Sequence, residues 1–241
     1  PKTGKSTLAL TFPKPMVYME TDIGGYDRAS RRFKDELTLI DYKDYPMPQQ
    51  AIERELGLSD SGKLVGVKKL WYQMLTDYMK ALRDDSVKTI VIDSFTQLWD
   101  LCHLAFLEEI QEKSPNRKQL LQIEYGEPNA RIRAMMYQCR KTDKSLVLVT
   151  PAADVHKKKL QNDGTILEYT DGIRAAGWKD TPKEVDLMVD TSIVKVKGDK
   201  RKVVPRATIV LSGLGLDIVD TVIDDPTWEQ IDISIQAQEW W

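Results

Sequence analysis

The chain has 241 residues, with 35 Lys and Arg against 37 Asp and Glu, so its formal net charge is −2. This balance excludes a protein-wide basic field, and any nucleic-acid site must therefore be a local patch. A content of 41% hydrophobic and 30% charged residues argues against wholesale disorder. Apolar runs fall far short of the ~20 residues of a membrane span, and two Cys cannot form a disulfide framework. We therefore expect a reduced, cytoplasmic protein without a membrane partner.

The first 150 residues alternate between segments typical of strands and of helices. Apolar runs predict strands over 16–20, 37–40, 88–93 and 146–150. Periodic segments predict helices over 5–11, 26–33, 49–56, 69–84, 98–112 and 128–141. The fold class that follows is α/β, with a mainly parallel sheet flanked by helices, because the strands are apolar on both faces.

The sequence pattern changes after Pro151. A long polar segment covers 152–182, and two alternating segments follow it, over 185–196 and 203–211. Gly198 and Asp199 lie between these two segments, which indicates a C-terminal β-hairpin extension of the α/β core.

A change of charge marks the C-terminal region. Beyond Arg206 the chain has no Lys or Arg, whereas Asp and Glu accumulate. We predict a core over 1–212 and an acidic C-terminal extension over 213–241, with Trp228 packed inward. Such an extension could dock on a basic partner, but a solvated surface is the simpler interpretation.

The opening residues carry the sharpest motif. Gly4-Lys5-Ser6-Thr7 matches the end of a P-loop, G-x-x-x-x-G-K-[ST]. In a P-loop the glycine-rich turn, here Thr3 and Gly4, brings backbone N–H groups to phosphates, Lys5 reaches the β- and γ-phosphates, and Ser6 binds Mg²⁺. Thr7 would lie near the α-phosphate. The first glycine and the strand before it would precede Pro1, so the sequence is expected to begin inside its motif; a chance match is the alternative.

A second motif strengthens the first. Ile90-Val91-Ile92-Asp93-Ser94 is an apolar strand that ends in a carboxylate, as in a Walker B strand, where the Asp holds Mg²⁺ through water. Many buried strands end in Asp, but the combination with Lys5 and Ser6 favours a nucleotide site. If the P-loop strand is absent, we expect a vacancy in the sheet beside the Asp93 strand.

Polar residues also end two other predicted strands. Glu20 and Asp22 end the strand after the P-loop helix, and either could position the attacking water; a helix cap is the alternative for Asp22. Thr150 ends the strand over 146–150 and could sense the γ-phosphate or simply satisfy a turn. The sequence alone does not decide between these roles.

The motifs together resemble the RecA-fold P-loop ATPases. The match rests on the opening seven residues, Val17–Gly25, Thr89–Ser94 and Leu146–Thr150. More narrowly, the chain resembles the phage-encoded AAA-type ATP-binding proteins of the Sak recombinase group, whose core carries "D-T-E-G-G" soon after the P-loop. By that resemblance the family's catalytic Glu falls on Asp22, a shorter acid, and Glu20 stands where the family often has Asp.

The resemblance implies a function and a set of partners. It implies ATP and Mg²⁺ as cofactors and ATP hydrolysis coupled to single-stranded DNA binding, annealing or strand exchange in phage recombination. A single-strand-binding protein and further copies of the chain would be partners, in the cytoplasm of a host cell.

The resemblance also implies where DNA would bind. The loops after the Walker B and sensor strands would face DNA, which here are the region of Lys113–Arg117 and the segment 152–180. The basic residues in the second are Lys157, Lys158, Lys159 and Arg174, and Trp178 or Tyr169 could stack on a base. At the predicted hairpin tip, Lys200 and Lys202 could reach a neighbouring subunit's γ-phosphate or grip DNA. A solvated surface is the alternative for each cluster.

Two other functions remain compatible with these residues. One is a nucleotide-switch scaffold or assembly ATPase that does not bind DNA, and the other is a P-loop kinase. DNA-stimulated ATP hydrolysis would favour the recombinase hypothesis, and a kinase would need an acceptor pocket and lid that the C-terminal third does not suggest.

Overall fold

The computed structural model describes residues 3–22, 24–56, 62–160, 166–195, 203–214 and 216–236. Within the first 150 residues, the strands are β1 (Met16–Glu20), β2 (Ile40–Asp44), β3 (Thr89–Asp93) and β4 (Ser145–Val149). The helices are α1 (Lys5–Ala9), α2 (Gly25–Ser30), α3 (Gln49–Glu55), α4 (Val67–Arg83), α5 (Phe95–Gln111) and α6 (Gly126–Cys139), with 3₁₀ turns at Lys34–Leu39 and Gln122–Tyr125.

The C-terminal part is mostly antiparallel. Its strands are β5 (Ala152–Leu160), β6 (Ile166–Ala175), β7 (Leu187–Lys195), β8 (Val203–Ser212) and β9 (Val222–Asp224). Its helices are α7 (Thr181–Glu184) and α8 (Trp228–Gln236), with a 3₁₀ turn at Leu216–Ile218. None of the described helices combines the length and the apolar character needed to cross a membrane.

The first four strands form a parallel sheet in the order β2–β1–β3–β4. The predicted α/β class, with a parallel sheet flanked by helices, is therefore confirmed. The predicted vacancy beside the Asp93 strand is wrong, because β3 is hydrogen-bonded to β1 on one side and to β4 on the other. β2 and β4 are the edge strands of this sheet, and β4 contacts α1.

Alternation along the strands divides the core into two layers. Val17, Met19, Ile90 and Ile92 join a large cluster with buried side chains of α4, α5 and α6. The intervening residues Met16, Tyr18 and Val91 join a smaller cluster with Leu10 of the α1 segment and Ala29 of α2. Because side chains alternate between faces with a period of two, Glu20 and Asp93 belong to the α1–α2 face.

The C-terminal hairpin is also present. β7 and β8 pair antiparallel from Leu187↔Ser212 to Lys195↔Val203, and β9 adds to β8. This second sheet packs on the first helix of the chain, since Ile209 of β8, Ile218 and Ile231 of α8 share a cluster with Leu8 of α1. That cluster crosses the predicted domain boundary at residue 212, which itself stays a prediction.

Two predictions about secondary structure are wrong. Residues 37–39 of the strand predicted over 37–40 form the end of a 3₁₀ turn, and the strand begins only at Ile40. The segment 152–180, predicted as a polar loop, contains the β5–β6 hairpin, whose strands pair from Ala152↔Ala175 to Leu160↔Ile166. The carboxyl end of β4 leads into this hairpin through Thr150 and Pro151.

Candidate nucleotide-binding site

The site lies at the carboxyl edge of β1 and β3, where the register sets two carboxylates side by side. Glu20 is the partner of Asp93 in the parallel pairing, so their Cα atoms are about 4.8 Å apart. Both residues are buried, with 2% and 4% of their surfaces exposed. Thr21 ties the two strand ends together, because its N–H donates to the Asp93 carbonyl at 2.7 Å and its hydroxyl to the Ser94 carbonyl at 2.8 Å.

The opening residues of the chain reach this edge. The Ser6 hydroxyl donates to Asp93 Oδ2 at 2.6 Å, so the predicted proximity of Asp93 to the opening seven residues is confirmed. Lys5 Nζ donates to Thr3 Oγ1 at 3.2 Å, within the same loop. Gly4 has a φ of +91°, which favours glycine. Thr7 follows Ser6 in α1 and is half-buried.

Gly25 lies among the side chains of Asp93, Glu20 and Ser6. A Cβ placed on Gly25 would stand 3.1 Å from Asp93 Oδ2, 3.1 Å from Glu20 Oε1 and 3.4 Å from Ser6 Oγ. Three oxygen-bearing side chains therefore converge on the backbone at the start of α2, and a glycine is what allows this approach. Hydroxyl and carboxylate oxygens are ligands that Mg²⁺ accepts, usually together with substrate phosphates. The residues present thus fit a nucleotide–Mg²⁺ group.

Two tyrosines hold the carboxylates in place. The Tyr18 hydroxyl donates to Asp93 Oδ2 at 2.5 Å, and the Tyr42 hydroxyl donates to Glu20 Oε2 at 2.6 Å. The second oxygen of Glu20 accepts the backbone N–H of Tyr26 at 2.9 Å. Burial raises the pKa of both phenols well above their usual range, and the carboxylate beside each raises it further, so both tyrosines stay protonated donors.

The remaining candidates near the edge differ in exposure. Asp22 is exposed and accepts a hydrogen bond from Gln97 Nε2 of α5 at 3.3 Å. Thr150 is half-buried and follows Val149, the β4 partner of Asp93. Both lie at the carboxyl edge that holds Ser6 and Asp93, as the parallel sheet predicts.

The C-terminal sheet touches the opening loop directly. Thr191 of β7 shares a 2.8 Å hydrogen bond with Thr3 through their hydroxyls, and a Cβ on Gly4 would lie 3.2 Å from Pro205 of β8. Farther along, Trp228 stacks on Phe12 at a centroid distance of 4.2 Å, so its predicted inward packing is confirmed. Nothing in the sequence pattern pointed to Thr191 or Pro205.

The predicted DNA-binding residues have mixed placements. Lys157, Lys158 and Lys159 lie in β5, but their side chains fall outside the described part of the structure. Arg174 is exposed near the base of the β5–β6 hairpin, opposite Ala153. Lys200 and Lys202 lie outside the described residues, so their proposed reach to a neighbouring subunit stays a prediction.

Of two other sequence candidates for DNA contact, one lies far from the carboxyl edge and the other is buried. Ser94 leads straight into α5, whose 17 residues carry Lys113–Arg117 about 25 Å from the carboxyl edge. Arg117 there is paired with Glu124. Trp178 is 1% exposed and packs near Trp99, which identifies it as a structural anchor and not a base platform.

Comparison with models of protein families identifies a match. A sequence model of the AAA domain family matches residues 1–211, most of the chain. No curated protein matches the chain significantly. The family match supports a nucleotide-binding P-loop ATPase, in agreement with the contact between Ser6 and Asp93.

Proposed function

Because the chain belongs to the AAA domain family, we propose that it binds ATP with Mg²⁺ and hydrolyses ATP in response to single-stranded DNA. The hydrogen bond between Ser6 and Asp93 carries the nucleotide part of this proposal, since it joins the P-loop tail to the Walker B carboxylate at 2.6 Å. Thr3, Gly4 and Lys5 would bind the β- and γ-phosphates, and Thr7 the α-phosphate.

Ser6 would hold Mg²⁺ directly and Asp93 through water, and the ion would neutralise charge that develops on the phosphates. The two buried carboxylates of Glu20 and Asp93 repel each other at adjacent register positions, so a cation nearby is electrostatically favoured. The hydroxyl of Ser6 is expected to exchange its bond with Asp93 for the metal.

The water that attacks the γ-phosphate needs an accessible base. Both oxygens of Glu20 already accept protein donors, and the residue is buried. Asp22 is exposed beside Gln97, at the same edge. We therefore assign to Asp22 the role of positioning the attacking water. Glu20 would stay hydrogen-bonded to the protein and lie near Mg²⁺ without binding it directly. Thr150, which follows β4, would contact the γ-phosphate.

The β5–β6 hairpin is the proposed DNA contact. It starts one residue after Pro151, and the Ala176 N–H closes its base by donating to the Pro151 carbonyl at 2.9 Å. The Thr96 hydroxyl of α5 donates to the Ala176 carbonyl at 3.1 Å. Thr96 follows Asp93 by three residues in the chain. Lys157, Lys158, Lys159 and Arg174 are therefore on a hairpin whose base adjoins the hydrolytic site, which would let DNA binding influence hydrolysis.

One observation favours a second function, a nucleotide switch without DNA. The C-terminal sheet contacts the opening loop through Thr191 and Pro205. A change of the loop on ATP binding would therefore displace β7 and β8, and a protein partner could read that displacement. In this alternative the acidic C-terminal surface, and not the β5–β6 hairpin, would be the effector.

ATP hydrolysis measured with and without single-stranded DNA separates the two functions. The recombinase proposal predicts stimulation by DNA, and DNA affinity that falls with salt by a log–log slope of about −0.7 for each neutralised phosphate. Replacing Lys157, Lys158 and Lys159 by Ala should flatten this slope, whereas a matched Lys113→Ala change at the far end of α5 should not. Hydrolysis that ignores DNA would contradict the recombinase proposal and favour the switch.

A further inference from the structure

The α1–α2 face of the sheet carries a stack of three tyrosines beside the proposed metal site. Tyr18 and Tyr42 are register partners on β1 and β2, so they lie on the same face. Tyr26 of α2 lies against both, with ring centroids 5.0 Å from Tyr18 and 4.3 Å from Tyr42. The Tyr26 and Tyr42 rings are nearly parallel, at 21°.

Each member of the stack also contacts a carboxylate of the site. Tyr18 donates to Asp93, Tyr42 donates to Glu20 through its hydroxyl, and Tyr26 donates to Glu20 through its backbone N–H. The stack therefore links the two carboxylates through three rings that contact one another. A stack that served packing alone would not need both hydroxyls to end on these two acids.

We propose that Tyr18 and Tyr42, with Tyr26 between them, are positioning residues that fix Asp93 and Glu20 for Mg²⁺. The inference rests on the proposed nucleotide function. Ser6 and Tyr18 donate to the same oxygen, Asp93 Oδ2, and Ser6 is expected to leave it for the metal. Tyr18 is fully buried and remains, so the Asp93 carboxylate keeps its orientation when the ion arrives.

Glu20 is fixed by the same principle. Its two oxygens accept one donor each, from different elements, which leaves the carboxylate little freedom to rotate. Groups that orient metal-bound or metal-facing carboxylates from behind affect metal affinity by about 10- to 100-fold when removed. The expected signature of the tyrosines is therefore a change in Mg²⁺ dependence and not a general loss of nucleotide binding.

The test measures the affinity of a non-hydrolysable ATP analogue across a Mg²⁺ titration, with Tyr18→Phe and Tyr42→Phe. Each change keeps the ring and removes the hydroxyl. Tyr45→Phe is the matched control, because the Tyr45 hydroxyl also donates to a carboxylate, Asp77, at 3.1 Å, but its side chain belongs to the other core layer. We expect the two site variants to need about tenfold more Mg²⁺ for half-maximal tight binding, with unchanged affinity in EDTA.

A double-mutant cycle excludes a purely structural effect. In a Glu20→Gln background, Tyr42→Phe should add little further change in Mg²⁺ dependence, because the tyrosine acts through that carboxylate. Equal shifts in Tyr42→Phe and Tyr45→Phe, or a Tyr42→Phe variant with wild-type Mg²⁺ dependence, would overturn the inference. Wild-type binding of the analogue that ignores Mg²⁺ would instead contradict the proposed function itself.

Discussion

The carboxyl edge of the parallel sheet and the β5–β6 hairpin are organised in opposite ways. At the edge, Glu20 and Asp93 are buried and each accepts hydrogen bonds from more than one element. The described backbone of the hairpin pairs two strands that follow each other in the chain, from Ala152↔Ala175 to Leu160↔Ile166. Groups that must keep a fixed geometry lie where several elements converge, whereas the basic residues proposed to meet DNA lie on a local pairing of two successive strands.

The largest effect should come from filling the centre of the edge. Gly25→Ala would place a Cβ 3.1 Å from both Asp93 Oδ2 and Glu20 Oε1, which forces at least one carboxylate to move. We expect Mg²⁺-dependent ATP affinity to fall about 100-fold, because the change displaces groups on both carboxylates. Gly126→Ala is the control, because a Cβ there meets nothing within 4 Å. Similar ATP affinities for the two variants would show that the edge is not packed as described.

A smaller effect is expected where the C-terminal part meets α1. Trp228→Ala removes the stack on Phe12 and part of the cluster with Ile231. Since Trp228 is half-buried, the free energy of unfolding should fall by about 2 kcal/mol. Ile233→Ala on the same helix, at a residue 58% exposed, should change it by under about 0.5 kcal/mol. Urea unfolding measures both, and equal losses would contradict the described packing.

The smallest effect concerns pH and lies on the other face of the sheet. Burial lowers the pKa of His103 from 6.5 to about 4, so the folded protein keeps this ring neutral where the unfolded chain binds a proton. The unfolded state therefore binds more protons between these values, and stability should fall as pH drops from about 6.5 towards 4. Urea unfolding of His103→Phe should show a shallower loss over that interval, and an identical pH profile would refute the burial of the ring.

The elements that depend on a local sequence pattern could be predicted from the sequence. β1 and β3 appear where apolar runs predicted them. The proximity of Asp93 to Ser6 follows from the P-loop tail and the Walker B strand, because both motifs serve one nucleotide site. The strand after the 3₁₀ turn was misplaced because β2 reads Ile-Asp-Tyr-Lys-Asp, and an edge strand with exposed residues lacks an apolar run.

Other features depend on contacts that no local pattern carries. A local pattern typical of hairpins, Asp163-Gly164, does lie between the segments that form β5 and β6, although those two residues are outside the described structure. The contacts of Tyr18, Tyr42 and Thr191 require the register and the tertiary packing. Only the shared spacing of Tyr18 and Glu20 on one strand face was visible in advance.

The central claim is that the opening residues bind a triphosphate together with the Asp93 edge. Titration of ATP into the wild-type chain and into Lys5→Ala, with and without Mg²⁺, tests it most directly, with the exposed Lys69→Ala on α4 as control. The account predicts Mg²⁺-dependent binding by the wild type and the control, and no measurable binding by Lys5→Ala. Unchanged ATP affinity in Lys5→Ala would contradict it.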